Sequence, residues 1–241
     1  MKLVKQYSKE VRNELSYIPV WQPGDLVEPG DVGKIENDAF VRQGNVKDIF
    51  PDLSCAKRQN PQPNNMKFHS SQCTVVQLGA SGPVTPSPSQ ALGVNLDFQL
   101  NFGFEGAVVF HAVDVRTSEI ENLLAVRKYI AERSSEWPED HLLVSHVEAA
   151  SRFVVLVSSA ANASVRLKGD VSAIQNFDVA HVGISILESQ NLGYQRIGAG
   201  PIMLRLYGLN WWGSATTPQG MQDAPEFPMG EISPRGPFFT G

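Results

Sequence analysis

The stretch at residues 92–104, LGVNLDFQLNFGF, carries an apolar side chain at every second position. Leu92, Val94, Leu96, Phe98, Leu100, Phe102 and Phe104 fall on one side of an extended chain. Gly93, Asn95, Asp97, Gln99, Asn101 and Gly103 fall on the other. Successive side chains of a β-strand point to opposite faces, so this pattern predicts one strand with an oily face and a hydrated face. Its span is roughly twice the usual strand length of about 5–6 residues. A second apolar run, AVVFHAVDV at 107–115, follows Gly106, and the two predict a β-hairpin or two consecutive long strands around Gly103–Gly106.

Further β candidates are HLLVSHVEA (141–149), RFVVLVSSAANASVRLK (152–168), VAHVGISIL (179–187), and LGYQRIG with PIMLRLYGL across 192–209. Residues 38–50, DAFVRQGNVKDIF, predict a strand, a turn at Gly44-Asn45 and a short helix or strand, and Val75 to Leu78 a short strand. Helical spacing occurs twice. Leu3, Val4, Tyr7, Val11 and Leu15 predict a helix over 2–15, with Lys2, Lys5, Lys9 and Arg12 on its polar side. Thr117 to Ser134 predicts a second helix, started by a capping box at Ser118 and Glu121 and ended by Trp137-Pro138. That helix is a candidate cover for part of the oily strand.

Long strands, few helices and polar turns predict an α+β fold: a twisted, mostly antiparallel sheet with a few flanking helices. The strand–helix alternation of a doubly wound fold is missing. Residues 54–72 are polar, with Asn60-Pro61 and Asn64-Asn65, and predict a loop. Residues 79–91, rich in Ser, Pro and Gly, predict an extended connector.

The composition shifts at residue 210, which divides the chain into a domain over 1–209 and a tail over 210–241. The tail holds five prolines and five glycines, so it is neither a helix nor a central strand. It also holds Trp211, Trp212, Phe227, Phe238 and Phe239, large apolar anchors that suit a segment lying across a surface. An equally open reading has Trp211 and Trp212 complete the last strand and pack on the core.

Apolar residues make up 42% of the 241 and charged residues 19%, which excludes a disordered chain. The net charge of −5 argues against a nucleic-acid binder, whose affinity comes largely from Lys and Arg on phosphates. The first residues lack the apolar run of a secretory signal, and no stretch predicts a membrane-spanning helix. Cys55 and Cys73 form no CxxC pair and are expected as reduced thiols in a cytoplasmic protein.

Enzyme motifs are poor. His69, His111, His141, His146 and His181 include no HxxxH or HExxH neighbour, so no metal ligand set is expected, and each is read as a structural histidine. GDVGK at 30–34 is spaced GxxGK, not GxxxxGK, and Ile35 stands where a phosphate loop needs Ser or Thr. No GxSxG or GxGxxG motif occurs. No catalytic residue and no cofactor are expected.

Covering a Leu or Phe stabilises a soluble strand by roughly 1.5–3 kcal/mol, but only with a partner layer along its length. A strand that crosses a bilayer needs about 9–11 residues, apolar outward and polar toward a lumen. The stretch at 92–104 meets both descriptions, and 152–168 does so less regularly.

The order of segments resembles the gasdermin family, in particular its compact bacterial and fungal members. The features that carry this are the basic N-terminal helix, GNVKDIF at 44–50, a polar loop, the long amphipathic β-pair, a helix, LLVSHVEAA at 142–150, two further strands and a short tail. The resemblance implies an autoinhibited cell-death effector of the antiviral-defence type. It would be a cytoplasmic monomer at rest, and an activating protease would release the tail. Asp223 is the candidate cleavage position, and the five tail aromatics are the candidate inhibitory anchors. The freed domain would then bind membrane lipids of the inner or plasma membrane through Lys2, Lys5, Lys9 and Arg12. It would form a homo-oligomer and insert the residues from Leu92 to Phe104, with 107–115 and 152–187, as a β-barrel pore.

Two other readings stay open at the level of sequence. One is a non-catalytic β-rich assembly protein whose tail docks on a neighbouring subunit. The other is a hydrolase with dispersed residues around His111 or His181.

Overall fold

The computed structural model describes residues 2–79, 82–84, 95–138, 140–170, 179–180, 184–209 and 229–234. The chain folds as α+β, with mostly antiparallel pairing in two sheets. The larger sheet contains β1 (Ile18–Pro19), β2 (Asp31–Glu36), β3 (Ala39–Asn45), β4 (Lys57–Gln59), β5 (Asn64–His69), β9 (Val108–Ile120), β10 (Leu142–Ser158), β13 (Leu192–Leu209) and β14 (Met229–Glu231). The smaller sheet runs β12 (Ser185–Gln190), β11 (Ser164–Asp170), β8 (Asn95–Asn101), β6 (Thr74–Gly79), β7 (Gly82–Val84). Among the described residues three helices flank them: α1 (Lys2–Leu15), α2 (Val46–Ile49) and α3 (Leu123–Glu132).

β10 is the spine. It pairs with β13 from Leu142↔Gly208 to Ser158↔Leu192 and with β9 from His146↔Glu119 to Val157↔Val108. Its run FVVLV explains its position. Phe153, Val155 and Val157 pack toward α1 with Tyr7 and Val11, while Val154 and Leu156 pack toward the smaller sheet. A strand covered on both faces reads as a continuous apolar run instead of an alternation. The layers are therefore smaller sheet, larger sheet, α1. At the other end of β10, Leu142 and Val144 pack with Val20, Val27, Phe40, Leu204 and Ile232, and Leu143 packs with α3, Phe50, Trp137 and Met229.

Several expectations are corrected here. The second helix begins later than its capping box implies: Ser118 to Ile120 belong to β9, which pairs there with β4 and β10. Asn122 precedes the helix without a side-chain cap. Its amide instead takes the Ala56 N–H at 2.9 Å and donates to the Ser54 carbonyl at 2.8 Å. α3 packs with Phe50, Trp137 and Leu143, not on the oily strand. The predicted strands 141–149 and 152–168 are divided differently: Leu142–Ser158 is one bulged strand, the chain leaves it at 159–163, and 164–168 belong to β11. The polar segment 54–72 contains β4 and β5, whose backbone pairs with β9. The described part of the amphipathic strand ends at Asn101, and Phe102 and Phe104 lie in the connection to β9; β8 pairs with β6 and β11 while β9 pairs with β4, β5 and β10, so the two are consecutive strands of different sheets and not a hairpin.

Candidate functional site

The site has two parts, a stored amphipathic sheet and a strap over the far end of β10. The stored sheet begins with the alternation of β8. Phe98 and Leu100 are completely buried and Phe102 nearly so. β11 runs antiparallel to β8 and adds Leu167 opposite Phe98 and Val165 opposite Leu100, both completely buried. These side chains meet Val109 of β9 and Val154 and Leu156 of β10 in one cluster. On the hydrated face Arg166 pairs with Asp97, and the Gln99 amide donates to Asn101 at 2.6 Å. The two adjacent strands thus carry their oily side inward and their ionic and amide side outward. Leu92 and Val94 lie outside the described residues. Leu96 stands opposite Gly169 in the backbone pairing, without a described side chain.

The strap comes from the tail. β14 adds to β13 with Met229↔Leu209, Gly230↔Gly208 and Glu231↔Tyr207, and the Ile232 N–H donates to the Leu206 carbonyl at 2.8 Å. Met229 is completely buried beside α3, and Ile232 is nearly buried among Val27, Phe40 and Leu204. The Arg127 guanidinium donates to the Met229 carbonyl and lies over the Tyr207 ring at 5.1 Å. Arg205 pairs with Glu231 at 3.1 Å. Sequence reading put Arg127 inside the second predicted helix without a role and missed Met229, Glu231 and Ile232. The signal was weak: an M-G-E-I run among prolines has an apolar residue at each end and little else. The named tail anchors Trp211, Trp212, Phe227, Phe238 and Phe239, and Asp223, lie outside the described residues. Among the described residues the strap shares neither strand pairing nor a core cluster with β8 or α1. It grips β13, whose other half leads through Asn191 into β12 and the stored sheet.

α1 lies on the opposite face of the larger sheet. Lys9 is exposed and Lys5 half-buried, whereas Arg12 is only 4% exposed and pairs with Asp38 at 3.4 Å. Burial pulls the Arg12 guanidinium down while Asp38 raises it. Three of the proposed basic contacts therefore differ in this fold: one is open, one partly so and one locked inward. The side chain of Lys2 is not described. Glu10 accepts a hydrogen bond from the Ser70 hydroxyl at 2.6 Å, which ties the helix to the loop before β6.

Among the described residues no group of three or more His, Cys, Asp or Glu side chains could hold a metal ion. His111 is buried and its Nδ1 accepts the Ala180 N–H at 3.2 Å. His181 lies outside the described residues. One polar relay superficially matches a nucleophile, base and acid: Ser145 Oγ lies 2.9 Å from His146 Nδ1, and His146 Nε2 lies 2.6 Å from Glu119 Oε2. Ser145 is completely buried and its hydroxyl donates to the Arg205 carbonyl at 3.1 Å, so the relay links β10 to β13. A hydrogen bond from Arg58 pulls the Glu119 carboxyl below its usual range, helped by His146 and opposed by burial.

No protein-family profile matches the chain, and no curated protein does. Among solved structures it is similar to a bacterial gasdermin from Bradyrhizobium tropiciagri, at 12% identity and a TM-score of 0.37, over 93% of this chain and 89% of that one. Among the described residues no helix is long and apolar enough to cross a membrane.

Proposed function

We propose that the chain is a pore-forming protein of the gasdermin type, held closed by its C-terminal segment. The observation that carries this reading is the pairing of a stored amphipathic sheet with a strap on the strand that leads out of it. β8 and β11 bury Phe98, Leu100, Val165 and Leu167 on one face and carry Asp97, Gln99, Asn101 and Arg166 on the other. Released from the larger sheet in water, Phe98, Leu100, Val165 and Leu167 would each forfeit about 1.5–3 kcal/mol of burial. Beside lipid the same face regains that cover, and a closed barrel satisfies every backbone polar group. The strap sets when this happens. Cutting between 209 and 229 would separate the tail from the domain, after which Met229, Ile232 and Glu231 hold only by local contacts.

In this account the resting protein is a monomer, the active form a membrane-bound oligomer, and the tail's removal by a protease is the trigger. No catalytic residue or cofactor takes part. A site-specific protease sequence placed at Asp223-Ala224 in the full chain tests it. Cut protein is expected to release dye from anionic vesicles while uncut protein does not. Equal, negligible release from both would overturn the reading.

A second reading rests on the outer edge of β13. Among the described residues no strand pairs with that edge between 192 and 200, beyond which the Gly24 and Val20 N–H groups donate to the Pro201 and Ile202 carbonyls, and Ile197 there is 49% exposed. An open edge is a template for another chain, as in an assembly protein. Stable oligomers that form without lipid, seen by light scattering, would favour it.

A further inference from the structure

The register of the smaller sheet fixes its outward face rung by rung. β8 carries Asp97, Gln99 and Asn101 there, and β11 sets Lys168, Arg166 and Ser164 opposite them. β12 sets Glu188 opposite Arg166 and Gln190 opposite Ser164. β6 adds Thr74, Val76 and Leu78, none of them charged. A cleft of about 200 Å³ lies on this face, walled by Leu78, Gln99, Ser164, Arg166, Glu188 and Gln190. None of these side chains belongs to a core cluster, and Arg166, Lys168 and Glu188 are exposed.

The charged side chains described on this face are two acids and two bases, and each base has an acid on an adjacent strand. Arg166 Nη2 lies 2.5 Å from Asp97 Oδ2, and Glu188 stands opposite Arg166 on its other side. Lys168 stands opposite Asp97. Neighbouring strands are about 5 Å apart. That is less than the screening length of about 8 Å at physiological salt, so the paired charges offer a passing ion only a short-range field. The connection at 85–94 brings no charged residue. The side chains of Asp170 and Asp178 lie outside the described residues. An oligomer repeats any surplus charge of its protomer as a ring, and rings of like charge are what select ions by sign. A face whose charges cancel within one protomer builds no such ring.

We propose that this face lines the conduit as a charge-compensated wall, so that the open pore passes small cations and small anions alike. Asp97, Arg166, Lys168 and Glu188 are the residues that set this. The inference rests on the pore reading above and adds to it the class of solute that the pore admits.

The test is the reversal potential of the cut full chain in a planar bilayer under a potassium chloride gradient. Salt is kept low, where the screening length grows to about 30 Å and a surplus charge on the wall is felt across more of the conduit. The protein is compared with one carrying Arg166→Gln and Lys168→Gln, and with one carrying Asp97→Asn and Glu188→Gln. The unaltered face is expected to give a cation-to-anion permeability ratio within about twofold of one. Removing the two bases should raise that ratio severalfold, and removing the two acids should lower it severalfold. Damage to the fold reduces conductance but does not move the ratio in opposite directions. A strong preference for either sign in the unaltered face would overturn the proposal, as would ratios that neither pair of substitutions moves. In both cases conductance leaves the pore reading standing. A preference that Asp170→Asn abolishes also overturns it and assigns selection to the end of β11. No conductance from any cut protein removes the pore reading, and the lined conduit with it.

Discussion

The phenol of Tyr7 is completely buried between α1 and the larger sheet, and its hydroxyl has no hydrogen-bond partner among the described residues. Burial raises its pKa far above the usual range, with Tyr194 adding to the shift, so it stays neutral at any working pH. An unpaired buried hydroxyl costs about 1–3 kcal/mol. Tyr7→Phe is therefore expected to leave the melting temperature unchanged or raise it, and a clear fall in a thermal melt would reveal a partner the account lacks. Phe98 is the contrasting case. It is fully buried, so Phe98→Ala should cost about 3–5 kcal/mol in denaturant unfolding; a loss below about 1 kcal/mol would contradict its place in the core. The inward face of β8 was legible in the sequence because alternation fixes which side chains share a face. Arg12 was not: helical spacing puts it on the polar side, and only the β2–β3 turn, by bringing Asp38 within 3.4 Å, turns it into a buried ion pair.

Among the elements, strongly periodic segments were legible and those defined by their neighbours were not. α1 lies where its i, i+3/i+4 stripe predicts. β4 has no apolar residue and β5 only Met66 and Phe68, too few to mark a strand, and both pair because the edge of β9 offers them backbone partners. The capping box at Ser118 and Glu121 failed for the same reason. Its residues lie on or beside a strand whose Glu119 is engaged by Arg58 and His146, and tertiary pairing outweighs a local cap. Asn122 does different work there, joining the start of α3 to the loop at Ser54 and Ala56. Asn122→Ala removes both hydrogen bonds and should cost about 1–2 kcal/mol, read as a lower urea midpoint. An unchanged midpoint would show that α3 is positioned by packing alone.

At the scale of the whole molecule, three layers share one spine, and this division makes the proposed release physically coherent. β10 is buried on both faces, so it is the part expected to persist. The smaller sheet is attached to it by a single apolar interface, and β13 links that sheet to the strap. The α+β class and antiparallel pairing could be read from the sequence. The stacking of two sheets could not, because an oily strand face does not specify which layer covers it. The central claim is that the oily face of β8 and β11 exchanges protein for lipid when the tail is cut. Vesicles whose acyl chains carry a photoactivated carbene precursor test this directly, with the adducts mapped by mass spectrometry in cut and uncut protein of otherwise unaltered sequence. The account predicts adducts on Phe98, Leu100, Val165 and Leu167 only in the cut protein, with Asp97, Gln99 and Arg166 unlabelled. Adducts absent from that face, or confined to α1, in cut protein bound to the vesicles would contradict it.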